Sequence, residues 1–353
     1  MSASTVAPSR SERITMGVAT ALFAVTALSE LLGAGEVPRF VVAGLALAAL
    51  AAAVGQAIEQ VGERLGPSAT GLLQSTLGNL PELFVGLFAL HDGLTRVVQA
   101  SLAGSILGNA LLVLGMAFVA GGLRHGRQRF DPEEPRLNAS LLLLAVAALL
   151  VPTLAARLDT PAAAHTTVLS DVCAAALLAV YAATIPFSLR RNGAHQPSAM
   201  RAWPLRLSLA VLVAASAGSA VVSDWFVGAL VPATHSLGIS EEFTGLVIVA
   251  IASNAVEHAV GIRFALRAKP EFAISTTLNS PLQVALLLVP VLVLASPLVG
   301  ATLTLVWSPL LIAALAISAV VVLAAVYDGE YTWIEGVALV GLYVIVVAGF
   351  WWG

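Results

Sequence analysis

Charge is what this sequence has least of. Of 353 residues only 10% are Asp, Glu, Lys or Arg, whereas 59% are apolar, and the mean hydropathy is +0.94. Soluble domains carry roughly 25% charged and about 45–50% apolar residues. So few charges cannot coat a water-soluble surface, so the solvent for most of the chain is lipid. Cysteine is nearly missing: Cys173 stands alone, which excludes an intrachain disulfide scaffold. Lysine occurs once, at Lys269, and the net charge is −3. Without a basic stripe the chain does not read as a nucleic-acid module. There is no Cys/His cluster at zinc spacing. No set of nucleophile, base and orienting group stands out, so an enzyme is not expected.

What the sequence does have is long apolar runs. A helix needs about 20 apolar residues to cross the hydrocarbon core. Eleven stretches qualify: 16–33, 37–55, 68–90, 97–122, 137–156, 166–188, 206–228, 243–266, 272–295, 299–325 and 332–352. They do not alternate polar and apolar residues, which excludes a transmembrane barrel. The run 272–327 has no ionisable Asp, Glu, Lys, Arg or His and is too long for one helix; Ser296-Pro297 marks its break. A signal peptide is the competing reading of 16–33. The length of the run, Glu30 near its end and the lack of a small-x-small cleavage pattern favour a span. With the N-terminus inside, fourteen of the seventeen basic residues fall on inside connections, leaving Arg39, Arg96 and Arg157 outside. That bias is the one expected of cytoplasmic loops. Residues 55–66 read as a helical extension beyond the membrane, 124–136 as a solvated loop, and Trp351 and Trp352 as an interfacial belt.

Two segments repeat. GLLQSTLGNLPELFVGLFAL at 71–90 matches GLVIVAIASNAVEHAVGIRFAL at 245–266, aligning Asn79 with Asn254 and Glu82 with Glu257. Each is followed by a small-polar segment, SLAGSILGN at 101–109 and STTLNSPLQ at 275–283, in which Ser105 and Ser280 correspond. The basic segment 189–205 separates five spans from five. An odd number per half makes the halves face opposite ways, the inverted repeat of many secondary transporters. The expected organisation is therefore an all-α membrane protein with about 11 transmembrane helices. Residues 1–36 hold a cytoplasmic N-terminus and one helix, 37–188 the first repeat, 189–205 a cytoplasmic linker and 206–353 the second repeat.

A carboxylate at a helix centre costs at least about 2.5–3.5 kcal/mol in a membrane and marks function by default. Glu82 lies 14 residues beyond position 68; at about 1.5 Å per residue this is roughly 21 Å into a core of about 30 Å. Glu257 is similarly central. Asn79 and Glu82 are spaced to share a helix face, as are Asn254 and Glu257. Oxygen-only chemistry suits a hard cation, and two ionised glutamates balance Ca2+. Pro81 with Gly78 loosens the helix and frees the Leu77 carbonyl as a further ligand. Ser105, Asn109, Ser280 and Gln283 are the neighbouring candidates, whereas Ser101, Gly104 and Gly108 suit close packing. His258 adjoins Glu257 but points about 100° around the helix, so it is expected to modulate rather than carry protons. No cofactor is expected.

These motifs resemble the α-repeats of the calcium/proton exchangers, within the calcium/cation antiporter superfamily. That family carries Gly-Asn-Ala-x-Glu in one repeat and Gly-Asn-Ala-x-Glu-His in the other. Here they stand as GNLPE at 78–82 and SNAVEH at 253–258. The likeness extends to LNASLLLLAVAALLVP at 137–152 and YDGEYTWIEGVALVGLY at 327–343. It implies eleven spans, alternating access and proton-driven calcium export. It assigns the ion to Glu82 and Glu257, with Asn79, Asn254, His258, Ser105, Ser280 and Gln283 around it. The expected location is a bacterial inner membrane, with lipid, Ca2+ and H+ as partners and the oligomeric state left open. LPE at 80–82 is closer to the sodium/calcium branch, Ser253 and Pro281 replace small residues, and the central loop is basic rather than acidic. A sodium/calcium or broader cation antiporter is therefore the alternative.

Overall fold

The computed structural model describes residues 4–65, 73, 77–192 and 201–352. The chain forms helices α1 (Arg10–Leu31), α2 (Glu36–Leu65), α3 (Leu80–His91), α4 (Thr95–Leu107), α5 (Leu114–His125), α6 (Glu133–Arg157) and α7 (Thr166–Asn192). There follow α8 (Leu205–Leu237), α9 (Ala250–Leu266), α10 (Pro270–Gln283), α11 (Val289–Ala295), α12 (Pro309–Ala325) and α13 (Trp333–Gly349). Three π turns interrupt the helical runs, at Gly108–Val113, Thr244–Val249 and Val284–Leu288. Seven stretches among the described residues are long and apolar enough to cross a membrane: Arg10–Leu31, Glu36–Gly62, Thr95–His125, Glu133–Arg157, Pro161–Pro186, Leu205–Leu237 and Pro270–Val299. Glu241–Leu266 is a bent pair, and Leu80–His91, Pro309–Ala325 and Trp333–Gly349 are shorter apolar helices. The protein is a multi-pass helical membrane protein. Exposed Val213, Ile317, Val344 and Ile345 would be liabilities in water. In lipid, helices need only close their own backbone hydrogen bonds and can present such side chains outward.

The helix ends follow local sequence. Ser9 and Glu12 form a capping box at α1, and Thr332 and Glu335 form another at α13, where the Thr332 N–H donates to Glu335 at 2.6 Å. Gly238, at φ +65°, closes α8 in the left-handed conformation that glycine adopts without strain. Ser296–Val299 is a single 3-10 turn ended by Gly300, so the break read at Ser296-Pro297 is present. One boundary is corrected. The stretch 299–325 was expected to be helical throughout, but α12 starts only at Pro309, capped by Ser308. Residues 301–308 are not helical, yet Leu303, Leu305 and Trp307 are buried. In the third expected span, 68–72 and 74–76 lie outside the described residues, as does 193–200 of the linker.

The chain divides into two compact units whose boundaries fall within α3, within α7 and just after α8. The first comprises 1–88 and 182–238, the second 89–181 and 239–353. Each unit draws on both sequence halves.

In the first unit α2 packs along α8, with Phe40 stacked on Phe226 at 4.7 Å between ring centroids. Arg39 pairs with Glu30 and Glu36, tying α2 to α1. At the other end of the pair, Gln60 donates to Glu12 at 3.2 Å and accepts the Trp203 N–H at 2.9 Å. In the second unit the helix interfaces rely on small residues. A Cβ on Gly104 would sit 2.1 Å from the Leu246 carbonyl, so α4 can lie this close to the second π turn only with glycine there. Gly115 and Gly336 bring α5 against α13 in the same way. Two-residue antiparallel strands, Gln128–Arg129 and Glu330–Tyr331, join the loops at one end of this unit.

Candidate functional site

The first copy of Asn-x-x-Glu lies at the start of a helix and the second at a bend in one. In the first unit Gly78 and Asn79 form a turn and α3 begins at Leu80. Pro81 accounts for the break: inside a longer helix it would clash with the Leu77 carbonyl, but in a first turn its missing N–H is harmless. The Asn79 carbonyl accepts the Leu83 N–H at 2.9 Å. Asn79 is therefore the N-cap, and Glu82 is the third residue of α3. Asn79 stands at the helix entrance, and Glu82 sits in the first turn, where the helix dipole favours a carboxylate. Both are buried, and Leu77 just before the turn is half-buried.

In the second unit Glu241–Leu266 bends by 67° between Ala255 and Glu257. On one side of the bend, Asn254 donates to the Ser105 hydroxyl at 2.9 Å and to the Ala250 carbonyl at 3.0 Å. The Asn109 amide nitrogen reaches Asn254 Oδ1 at 3.4 Å, Ser280 Oγ at 3.1 Å and the Ser105 carbonyl at 3.1 Å. Ser280 donates to Glu257 Oε2 at 2.5 Å. Ser105, Asn109, Asn254, Ser280 and Glu257 thus form one hydrogen-bonded cluster, contributed by α4, the first π turn, α9 and α10. The four uncharged members are each at most 4% exposed. The π turns contribute to this arrangement. Each of the two serines on α4 and α10 is followed within four residues by a π turn, which rotates the next side chains relative to a regular helix.

Every ligand this cluster can offer is a hard one: a carboxylate, amide oxygens and hydroxyls. Such donors suit Ca2+ or Na+ and not a soft metal. Asn109 Oδ1 is buried and has no hydrogen-bond partner among the described residues, which leaves an acceptor for a cation. Among the sequence-derived candidates, Ser105, Asn109, Asn254, Ser280 and Glu257 come together. Gln283 is the last residue of α10, half-buried. His258 is also half-buried, and its Nε2 is buried without a partner among the described residues. Asn79 and Glu82 belong to the first unit. Asn109 has no counterpart in the other repeat, since the position four after Ser280 is Val284.

An interrupted-helix membrane protein with a buried, all-oxygen cluster is the architecture of an ion carrier. The chain belongs to the sodium/calcium exchanger protein family, whose sequence model matches residues 37–190 and 207–352. Among its relatives are a Ca2+/H+ antiporter of Synechocystis sp., 37% identical over 90% of this chain and 92% of that protein, and the Ca2+/H+ antiporter ChaA of Bacillus subtilis, 36% identical over 88% and 91%. The structure of native YfkE superposes with a TM-score of 0.83 at 32% identity, covering 96% of this chain and 99% of that one. The crystal structure of the H+/Ca2+ exchanger CAX has a TM-score of 0.77 at 16% identity, over 97% and 92%, and so shares the fold.

Proposed function

We propose that this protein is a calcium/proton antiporter that exports Ca2+ from the cytoplasm by alternating access. The observation that carries the reading is the buried oxygen cluster around Glu257, built from the residues that the sequence repeat singles out. The naming of the relatives as Ca2+/H+ antiporters supports the choice of ions. Glu82 and Glu257 hold either Ca2+ or protons. Asn79, Asn254, Asn109, Ser105, Ser280, Gln283 and the Leu77 carbonyl complete the oxygen set, and His258 modulates it. The chain crosses a bacterial inner membrane eleven times as two inverted five-helix repeats after one N-terminal helix, with the N-terminus in the cytoplasm.

The test is Ca2+ uptake into everted vesicles under an imposed pH gradient. Wild-type protein is expected to accumulate Ca2+ when the vesicle interior is acidic. Glu82→Gln and Glu257→Gln are each expected to abolish uptake, because the amide keeps the size but lacks the charge that a dehydrated divalent ion requires. Wild-type flux from either variant, correctly inserted, would reject the site. Ca2+ movement driven by a sodium gradient and indifferent to pH would replace the proton reading by sodium/calcium exchange.

A further inference from the structure

A second polar array in the second unit, half-buried apart from the buried Asn138, touches no proposed ligand directly. Asn138, on α6 and 8% exposed, donates to Asn279 Oδ1 on α10 at 2.8 Å. One turn earlier on both helices, Ser275 of α10 donates to Glu134 of α6 at 3.0 Å. Asn279 donates to Ser275 at 3.2 Å and closes the array. Glu134 to Asn138 and Ser275 to Asn279 are both steps of four residues in the same chain direction. The two helices therefore run locally parallel, joined by two rungs.

Asn279 is the residue before Ser280, whose hydroxyl donates to Glu257 at 2.5 Å. Successive residues on a helix point about 100° apart, so one face of α10 holds the rungs and the adjacent face holds Glu257. The helix needs such a brace at this point. Pro281 lies inside α10 and deletes the backbone bond to the Thr277 carbonyl, and the π turn Val284–Leu288 follows at once. On the α9 side, Gly261 lies so close to Thr277 that a Cβ there would come within 2.7 Å of the Thr277 hydroxyl. That contact limits how far α10 can approach α9, but it supplies no hydrogen bond that fixes rotation.

We infer that Asn138 and Asn279 are positioning residues for ion binding: α6, which carries no ligand, sets the rotation of α10 so that the Ser280 hydroxyl stays on Glu257. This rests on the calcium/proton reading for the identity of the ion but not for the geometry. Losing the Asn138 rung loosens Ser280 and leaves the helix fold intact, so the effect falls on affinity.

The experiment measures Ca2+ flux in proteoliposomes as apparent KM and maximal rate. Asn138→Ala and Asn279→Ala are each expected to raise KM about fivefold, the scale of one net hydrogen bond, with the maximal rate within about twofold. The double variant is expected to be no worse than Asn279→Ala, which already removes the bond from Asn138 together with the one to Ser275. Leu137→Ala, one position away on an exposed face, keeps the wild-type KM. In a Cys173→Ser background, the pair Asn138→Cys and Asn279→Cys, once oxidised, is expected to restore a KM that Asn138→Cys alone raises. Wild-type KM in Asn138→Ala, additive single effects, or a cysteine pair that does not crosslink would each overturn the inference, as would a loss of rate without a change in KM. If the wild type proves to exchange sodium rather than protons, the function reading fails while the ladder is still judged by the KM of the ion carried.

Discussion

At the scale of single residues, polar atoms that find a partner contrast with those that do not. Tyr331 is an instance of the second kind, outside the spanning helices. Its ring is stacked on Phe118 at 4.0 Å, and its hydroxyl has no hydrogen-bond partner among the described residues. Burial pushes the phenol from its ordinary value of 10 up to about 12. An acid that ionises later when folded contributes stability that is complete below pH 10 and is lost as pH rises through 12. Tyr331→Phe is therefore expected to melt like wild type, or slightly higher, at neutral pH, since no hydrogen bond is removed. Its melting temperature should also fall less steeply between pH 10 and 12. An alkaline fall equal to that of wild type would clear Tyr331 of the effect. Residues of the first kind divide by how visible they are in the sequence. Ser105, Asn254, Glu257 and Ser280 can be read because the chain states them twice. Asn138 and Asn279 cannot, because Asn138 is a lone asparagine in an apolar helix, Asn279 is one polar residue among several, and 141 positions separate them.

Elements were legible where periodicity or punctuation is strong. The glycine and proline at 78 and 81 announced an interruption, and the helix breaks there. The non-helical run 301–308 was not legible, because an apolar run alone does not tell a helix from an extended buried segment. What holds that run is supplied from elsewhere in the second unit. The Thr153 hydroxyl accepts the Trp307 N–H at 3.0 Å and donates to the Leu305 carbonyl at 3.0 Å. Ser170 and Ser296 accept the N–H groups of Leu305 and Leu303, each at 2.9 Å, and Gln99 donates to the carbonyls of Thr304 and Val306. Irregular backbone survives in an apolar setting only when satisfied in this way. Thr153→Val keeps the shape and strips two buried backbone groups of their partner, a loss of roughly 2–6 kcal/mol at about 1–3 per group. Thermal melting in detergent is expected to show a marked drop for Thr153→Val and little change for Thr153→Ser, which keeps the hydroxyl. Equal melting of all three would mean that the segment is held by apolar burial alone.

At the scale of the whole molecule, orientation and coupling both follow from charge. The asymmetry of arginine predicts that a cysteine at Arg127 is labelled from the cytoplasm and one at Ala164 from outside, in a Cys173→Ser background. Labelling of both from one side would refute the alternating topology. In the proposed antiporter, coupling would follow from the two glutamates. Taking a carboxylate out of water is costly unless its charge is met by a partner, and Ca2+ is the partner that meets two. Without the ion, protons fill the same need. Calcium binding then requires that protons leave, so a carrier that changes face only when filled by one or the other exchanges them. Calorimetric titration with Ca2+, in buffers of different ionisation enthalpy from about pH 6 to 9, is expected to show a binding enthalpy that varies with the buffer. Affinity should also weaken as pH falls. The Glu257→Gln variant should lose both signals, since it removes one of the two groups that titrate. Tight binding whose enthalpy is indifferent to the buffer throughout that range would mean that the glutamates are already ionised. Protons could not then be the counter-ion at this site, and the all-oxygen cluster would be better matched to sodium.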